Sequence, residues 1–281
     1  MNLGPTKQVF LFIYLILIST LAYSACPTIY HVTGGGAYCS GGSGVAIGLD
    51  NSEIGITYTL KRGSGTIQTR SGTGSALTFS NQAVAGTYTV TATDGSCVLT
   101  MNGNATIAVN SNPSIFSMTG GGSYCQGGTG IAVKLSGSQS GVNYQLFLAG
   151  SPVGSPVAGT GGIISFGLKT TTGNYTATAT NATTLCSSNM SGSAIVSTVT
   201  PPTAYNVTGG GAYCSGGAGL AIGLANSDIG ITYTLMRGAT TIQSLSGNGS
   251  ALTFNNQTVA GTYTVTGTNG GCTVSMNGNA T

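Results

Sequence analysis

The feature that most limits what this chain can fold into is a threefold repetition with a long period. "YHVTGGGAYCSGGSGVAIGL" begins at Tyr30, "FSMTGGGSYCQGGTGIAVKL" at Phe116 and "YNVTGGGAYCSGGAGLAIGL" at Tyr205. The glycine triplets start at Gly34, Gly120 and Gly209, giving periods of 86 and 89 residues. Residues 30–106 and 205–281 align without a gap and share about three-quarters of their positions. The middle copy has diverged and carries a small insertion near "SPVGSPVAGTGG". Solenoid repeats of roughly 20–50 residues need neighbours to bury a face. A unit of about 87 can close a core of its own. The expectation is a string of tandem domains over 26–112, 113–201 and 202–281, the last of them C-terminally truncated.

Inside a unit the hydrophobic period is two. In "GTYTVTAT", threonines 87, 89, 91 and 93 face one way and Tyr88, Val90 and Ala92 the other. "GITYTLKR" repeats the pattern with Ile56, Tyr58 and Leu60, and "GVAIGLD" with Val45, Ile47 and Leu49. Such alternation marks half-buried strands. Asp94-Gly95 and Asn102-Gly103 are expected to be type I′ hairpin turns. Seven or eight short strands in such a unit predict an all-β chain of tandem immunoglobulin-like antiparallel β-sandwich domains. "NSNPS" at 110–114 and "TVTPPT" at 198–203 read as stiff linkers that favour an extended string.

These motifs carry a resemblance. "VTGGGxYCxGGxG" opening each copy, "GTYTVTAT" or "GNYTATAT" in the late strand, and the cysteine after it resemble the immunoglobulin-like tandem repeats of large secreted or surface proteins of Bacteroidota. The middle copy's "GTGGIISFGLKTTTGNYTATATNATTLC" is similar to the same group. The resemblance spans nearly the whole chain after its leader. It implies export, adhesion-type roles and association with type IX secretion, whose C-terminal sorting domain is not recognisable in this sequence. Either the chain is a fragment, or it leaves the cell by another route.

Residues 1–25 agree with export. Lys7 precedes the apolar run "VFLFIYLILISTLAYSA", which ends in small residues and reads as a secretory signal peptide cleaved near Ser24 or Ala25. The mature chain then has no membrane-spanning segment, and its place is extracellular or on a bacterial surface. Composition excludes one class of partner. Seven basic and four acidic residues give a charge of +3, far short of the clustered Lys and Arg that nucleic-acid binding needs.

Seven cysteines suit an oxidising compartment. Cys39/Cys97, Cys125/Cys186 and Cys214/Cys272 are spaced by 58, 61 and 58 positions, which suggests one structural disulfide per unit. A difficulty comes with this scheme. In a strict immunoglobulin strand order Cys39 and Cys97 fall at opposite ends of the sandwich, whereas bridged Cα atoms are about 4.4–6.8 Å apart. Cys26 is left over, as a lipid attachment point, a free thiol or a bridge to another chain.

No catalytic, cofactor-binding or metal-binding residue is expected. The glycine stretch is not followed by a helix, as a phosphate loop requires. His31 is the single histidine, and Ser117 and Asn206 replace it in the other copies, so a repeated Ser-His or Cys-His site is not available. Asp50, Glu53, Asp94 and Asp228 sit in expected turns, too few for calcium. Tyr38, Tyr124 and Tyr213, each beside the first cysteine of its copy, are candidate contacts for a sugar ring. The function expected is non-enzymatic: a stalk or adhesin meeting surface glycans or cell-surface proteins. The alternative is a set of carbohydrate- or ligand-binding modules of a larger exported enzyme. Copy one continues past "NGNAT" as "IAVN", whereas copy three stops at Thr281. That leaves an edge in repeat three with the potential for self-association by strand exchange.

Overall fold

A computed structural model describes residues 26–281; the signal peptide expected over residues 1–25 lies outside the described residues. The chain forms two compact units, one ending at Asn110 and one spanning Ser111–Thr281. The second holds repeats two and three, each with its own core.

Repeat one sets the pattern. Its strands are β1 (Val32–Gly34), β2 (Gly36–Cys39), β3 (Ile47–Leu49), β4 (Thr57–Arg62), β5 (Gly65–Ser71), β6 (Leu77–Thr78), β7 (Gly86–Thr93), β8 (Val98–Thr100) and β9 (Ala105–Asn110). One sheet is ordered β1-β3-β6, the other β2-β9-β7-β4-β5 with β8 also on β7. Neighbours pair antiparallel except β2 and β9, which run parallel with Gly36 opposite Ile107 and Cys39 opposite Asn110. This is an immunoglobulin-like sandwich whose first strand is divided between both sheets. Repeat two repeats the order with β10 (Met118–Gly120), β11 (Gly122–Cys125), β12 (Ile131–Leu135), β13 (Val142–Leu148), β14 (Ser151–Ala158), β15 (Ile164–Lys169), β16 (Gly173–Asn181), β17 (Ser187–Asn189) and β18 (Ala194–Val199). Repeat three contains β19 (Val207–Gly209), β20 (Ile222–Leu224), β21 (Thr232–Arg237), β22 (Thr240–Ser246), β23 (Leu252–Thr253), β24 (Tyr263–Asn269) and β25 (Cys272–Ser275). Its sheets are β19-β20-β23 and β22-β21-β24-β25.

The glycine triplet explains the divided strand. Gly34 has φ +83°, and a Cβ there would lie 2.3 Å from the carbonyl oxygen of Ala46. Gly120 and Gly209 face the same clash from Ala132 and Ala221. Only glycine lets the chain turn this close to its neighbour as it leaves one sheet for the other.

Period-two alternation becomes burial. Tyr88, Val90 and Ala92 of β7 are buried while its threonines are not. Leu60 stands opposite Val90 and Tyr58 opposite Ala92, so two strands deliver large side chains to one core. A second device recurs in every copy. The hydroxyl of Tyr88 donates to the carbonyl of Val84 at 2.7 Å, Tyr175 to Thr171 at 2.8 Å and Tyr263 to Val259 at 2.6 Å. This is the tyrosine corner of immunoglobulin folds, which normally stands two residues before an inter-sheet cysteine. Here that position holds Val90, Ala177 and Val265, all buried, so the two sheets are joined by apolar packing.

The turn expectation needs correction. Asn102-Gly103 does not join two paired strands, because β8 and β9 both pair with β7 and the dipeptide interrupts one edge. Nor is Asp94-Gly95 a type I′ turn. Gly95 has positive φ but Asp94 does not, and a type I′ turn needs both. Asp94 instead accepts the N–H groups of Ser96 and Cys97 on Oδ1, both at 2.8 Å, in an Asx turn.

Candidate functional site: the cysteines at the two poles of the repeat

The strand order puts the cysteines of each repeat at opposite poles. Cys39 ends β2 beside Asn110, the last residue of β9, whereas Cys97 immediately precedes β8. From the start of β8 to the end of β9 the chain advances roughly a dozen residues in one direction. At about 3.3 Å per residue that is on the order of 40 Å. A bond within the repeat is therefore impossible without unfolding it.

The observed bonds avoid the problem. Cys97 pairs with Cys26, whose Cα is 5.4 Å away, at the pole where repeat one begins. Cys125, ending β11 at the trailing pole of repeat two, pairs with Cys272 at the leading pole of repeat three, again with 5.4 Å between Cα atoms. Neither Cys39 nor Cys186 is a free thiol. Cys214, the counterpart of Cys125 in repeat three, is an exposed free thiol. The expected pairs Cys39–Cys97, Cys125–Cys186 and Cys214–Cys272 are thus all replaced, and Cys26 is neither a spare thiol nor a lipid anchor. Cys125–Cys272 joins two repeats across their boundary. There Asn269 Nδ2 donates to the carbonyl of Thr200 at 3.0 Å, and the Cys272 sulfur lies 3.8 Å from the Val199 carbonyl oxygen.

The carboxylates serve the same poles. Asp228 accepts the N–H of Thr203 at 2.9 Å and the hydroxyl of Tyr205 at 2.6 Å, tying the lead-in segment to the body of repeat three. Tyr205 and the Thr203 N–H hold the Asp228 carboxyl below its usual range, and the same bond raises Tyr205. In repeat one Glu53 makes longer contacts, 3.3 Å to the N–H of Thr28 and 3.4 Å to the Tyr30 hydroxyl. Gln139 does the work in repeat two, accepting the Ser114 N–H at 2.6 Å. The residue after the "LxxS" turn is thus a recurrent clamp whose charge is dispensable. Burial raises Tyr58 and Tyr233, whose hydroxyls accept the backbone N–H of Glu53 and Asp228. Exposed His31 faces Asp50 at 3.2 Å. Among the described residues no three His, Cys, Asp or Glu side chains gather as a metal site.

Tyr38, Tyr124 and Tyr213 occupy equivalent places on the segment between the triplet and the turn cysteine. Their hydroxyls donate to the carbonyls of Ala83, Thr170 and Thr258. The polar atom that a sugar would engage is spent on holding this segment to the loop before the tyrosine corner. Tyr38 and Tyr124 are half-buried, and Tyr213 is 39% exposed.

Repeat three differs along this segment. In repeats one and two the residues after the triplet form β2 and β11 by pairing with β9 and β18. In repeat three, Gly211 donates its N–H to the carbonyl of Thr281 at 2.6 Å, and residues 211–214 form no strand. Alongside them lies a cavity of about 480 Å3, walled by Leu220, Ile222, Val259 and Tyr263 and floored by Gly210 and Gly211.

The fold and its poles define a class: tandem immunoglobulin-like β-sandwich domains with disulfides. No family model matches the sequence, and no protein of curated function matches it. Among solved structures, a marsupial T cell receptor is 13% identical over 87% of this chain and 98% of its own, with a TM-score of 0.39. The N-terminal eight Ig domains of Down syndrome cell adhesion molecule are 14% identical, covering 90% of this chain and 42% of that one, with a TM-score of 0.36. Fibronectin(III)-like modules of Clostridium thermocellum CbhA are 14% identical over 59% of this chain and 94% of theirs, with a TM-score of 0.33. At these scores the likeness carries no weight of its own, and strand order carries the fold. Among the described residues no helix is long and apolar enough to cross a membrane.

Proposed function

We propose that the chain is a non-catalytic stalk or adhesin segment on the outside of a bacterial cell, built from three modules over 26–112, 113–201 and 202–281. The observation that carries this reading is the Cys125–Cys272 bond. A disulfide inside a sandwich stabilises one domain, whereas one across a boundary resists separation of neighbours. That suits a protein whose work is to hold a position under load. The disulfides themselves belong to an oxidising, extracellular setting. The "VTGGGxYC" motif and its likeness to Bacteroidota surface repeats support export from such a cell.

Single-molecule stretching of the chain tests the reading. With the disulfides intact, the 147-residue interval closed by Cys125–Cys272 adds no contour length when force is applied across repeats two and three. Under a reductant that interval extends. Full extension without reductant would remove the mechanical role. Attachment of cells displaying the chain, compared with cells lacking it, tests the adhesive half.

A further inference from the structure

We propose that the outward face of the larger sheet of repeat two binds a neutral polysaccharide, with one pyranose ring seated on Phe147 and its hydroxyls held by Asn189, Thr176 and Thr178. The inference rests on the adhesive half of the proposed function and deepens it, naming a ligand and a surface on the flank of one module.

Three observations converge. First, the middle copy departs from its neighbours on this face and not on the face beneath it. Along β13 the inward Tyr144 and Leu146 match Tyr58 and Leu60 of repeat one and Tyr233 and Leu235 of repeat three, and all six are buried. The outward positions are Thr57, Thr59 and Lys61 in repeat one and Thr232, Thr234 and Met236 in repeat three. In repeat two they are Asn143, Gln145 and Phe147. The core demands only the inward set. The change falls on side chains that meet solvent, and it puts an aromatic ring where repeat one has a cation.

Second, the ring borders a cavity. Phe147 stands opposite Thr176 of β16, and Asn189 of β17 stands opposite Thr178. These four residues line a cavity of about 270 Å3 together with Gly150 and Met190. A site for a drug-sized molecule takes roughly 300–1,000 Å3, so this one suits a single ring. Gly150 lies in the two-residue turn between Leu148 and Ser151, where Ala149 and Gly150 have φ of 49° and 82°. Repeats one and three put Gly63 and Gly238 at the first of these turn positions. An alanine held in the left-handed region is strained, and such strain gathers at ligand clamps.

Third, the polar groups suit a sugar. No charged side chain lines the cavity, so an anionic ligand would lack the Lys or Arg that carboxylates and phosphates need. The Thr178 hydroxyl donates to Asn189 Oδ1 at 2.9 Å, which fixes the amide. Asn189 Nδ2 and the Thr176 hydroxyl have no partner among the described residues. A pyranose offers both complements, a C–H face for the aromatic ring and hydroxyls for the amide and the threonines. An apolar side chain would cover the same polar groups and leave them unpaired, which is costly. Beyond the cavity, Asn143, Thr180 and Ser187 stand in register across β13, β16 and β17. This uncharged stripe gives the next ring of a polymer its own hydrogen-bonding groups.

The test titrates the full chain with cellohexaose, laminarihexaose, maltohexaose and mannohexaose, with hexagalacturonate as the charged control. The expected result is saturable binding of at least one neutral probe, slower amide exchange at 176–178 and 189, and no binding of the galacturonate. Phe147→Lys should weaken binding about tenfold, Asn189→Ala about fivefold, and Phe147→Tyr should retain it. Repeats one and three hold Lys61 and Met236 at this place, so Phe147→Met serves as a second variant with the same expected loss if Phe147→Lys does not fold. Failure of every neutral probe to bind overturns the proposal. So does binding that is unchanged in a folded Phe147→Lys or Phe147→Met chain, since the sugar would then sit elsewhere, and so does a preference for the galacturonate. Attachment of cells through a protein contact and the extension test of Cys125–Cys272 survive any of these failures, so the stalk and adhesin readings stand or fall separately.

Discussion

Repeats one and three share about three-quarters of their residues, yet the same motif does different things in each. "GGGAYCSGG" after Val32-Thr33 forms strand β2, whereas after Val207-Thr208 it forms none. The local sequence is the same, so the difference lies in what it pairs with. In repeat one, Ile107 to Asn110 supply a parallel partner. In repeat three, the hydrogen bond from Gly211 to Thr281 is the last rung. Strand formation here depends on a distant partner, and a glycine-rich segment has little intrinsic preference to hold it.

The largest effect that breaks the comparison is at the triplet. Gly34→Val in repeat one and Gly209→Val in repeat three put a side chain into the carbonyl of Ala46 or Ala221, 2.3 Å from the new Cβ, at positive φ. Each should cost about 3 kcal/mol or more and unfold its own repeat. Urea melts followed by proteolysis should show which repeat is lost. Equal losses would mean that β2 adds nothing to the rigidity of the crossover.

Next is the partner strand. Ile107→Ala in repeat one should cost about 2–5 kcal/mol, because a core side chain is removed. The loss should fall on repeat one and leave the melt of repeat three unchanged. A thermal melt resolved by exchange in each repeat checks this.

The two disulfides separate next. Cys26→Ser frees the 71-residue interval closed with Cys97, and Cys125→Ser the 147-residue interval closed with Cys272. Chain entropy predicts losses of about 4 and 5 kcal/mol, with measured values for native disulfides commonly about 2–5. The first should fall on repeat one. The second is shared between two cores, so its effect on either melt should be smaller than its loop length implies.

These outcomes bear on what could be read from sequence. Period-two alternation located β4 and β7 because burial of Tyr58, Leu60, Tyr88 and Val90 is a local property of a half-exposed strand. Sandwich class followed from strand number and unit length. Cysteine pairing did not follow, because spacing within a repeat says nothing about which pole each cysteine occupies. The pole objection to Cys39–Cys97 was legible. Its resolution required β2 to lie parallel to β9, which depends on the chain's switch of sheets at Gly34. The usable signal was Cys26, an odd cysteine four residues before Tyr30, standing where repeat one begins. The role of Glu53 and Asp228 as clamps was hidden because Thr203 belongs to a segment that reads as linker, and Thr28 to a stretch before the first strand with no periodic signal.

The smallest predicted effect sharpens the comparison at the leading poles. Asp228 holds Thr203 and Tyr205 with bonds of 2.9 and 2.6 Å, where Glu53 manages 3.3 and 3.4 Å to Thr28 and Tyr30. The Asp228 carboxyl is held below its usual range, chiefly by the Tyr205 hydroxyl and then by the Thr203 N–H. A depressed carboxylate contributes stability that is fully present above the ordinary value near 3.9, and loses it as pH falls through the folded value. Acid should therefore loosen the lead-in to repeat three below about pH 4. The group is only partly buried and stays in reach of solvent, so screening keeps the loss under about 1 kcal/mol. Asp228→Asn retains an acceptor but cannot titrate, and should flatten this part of the pH profile while costing less than about 1 kcal/mol at neutral pH. Exchange rates of the Thr203 amide between pH 3 and 5, corrected for intrinsic exchange, give the readout. If the same acid step persists in Asp228→Asn, the carboxylate is not what fastens repeat three to the segment before it.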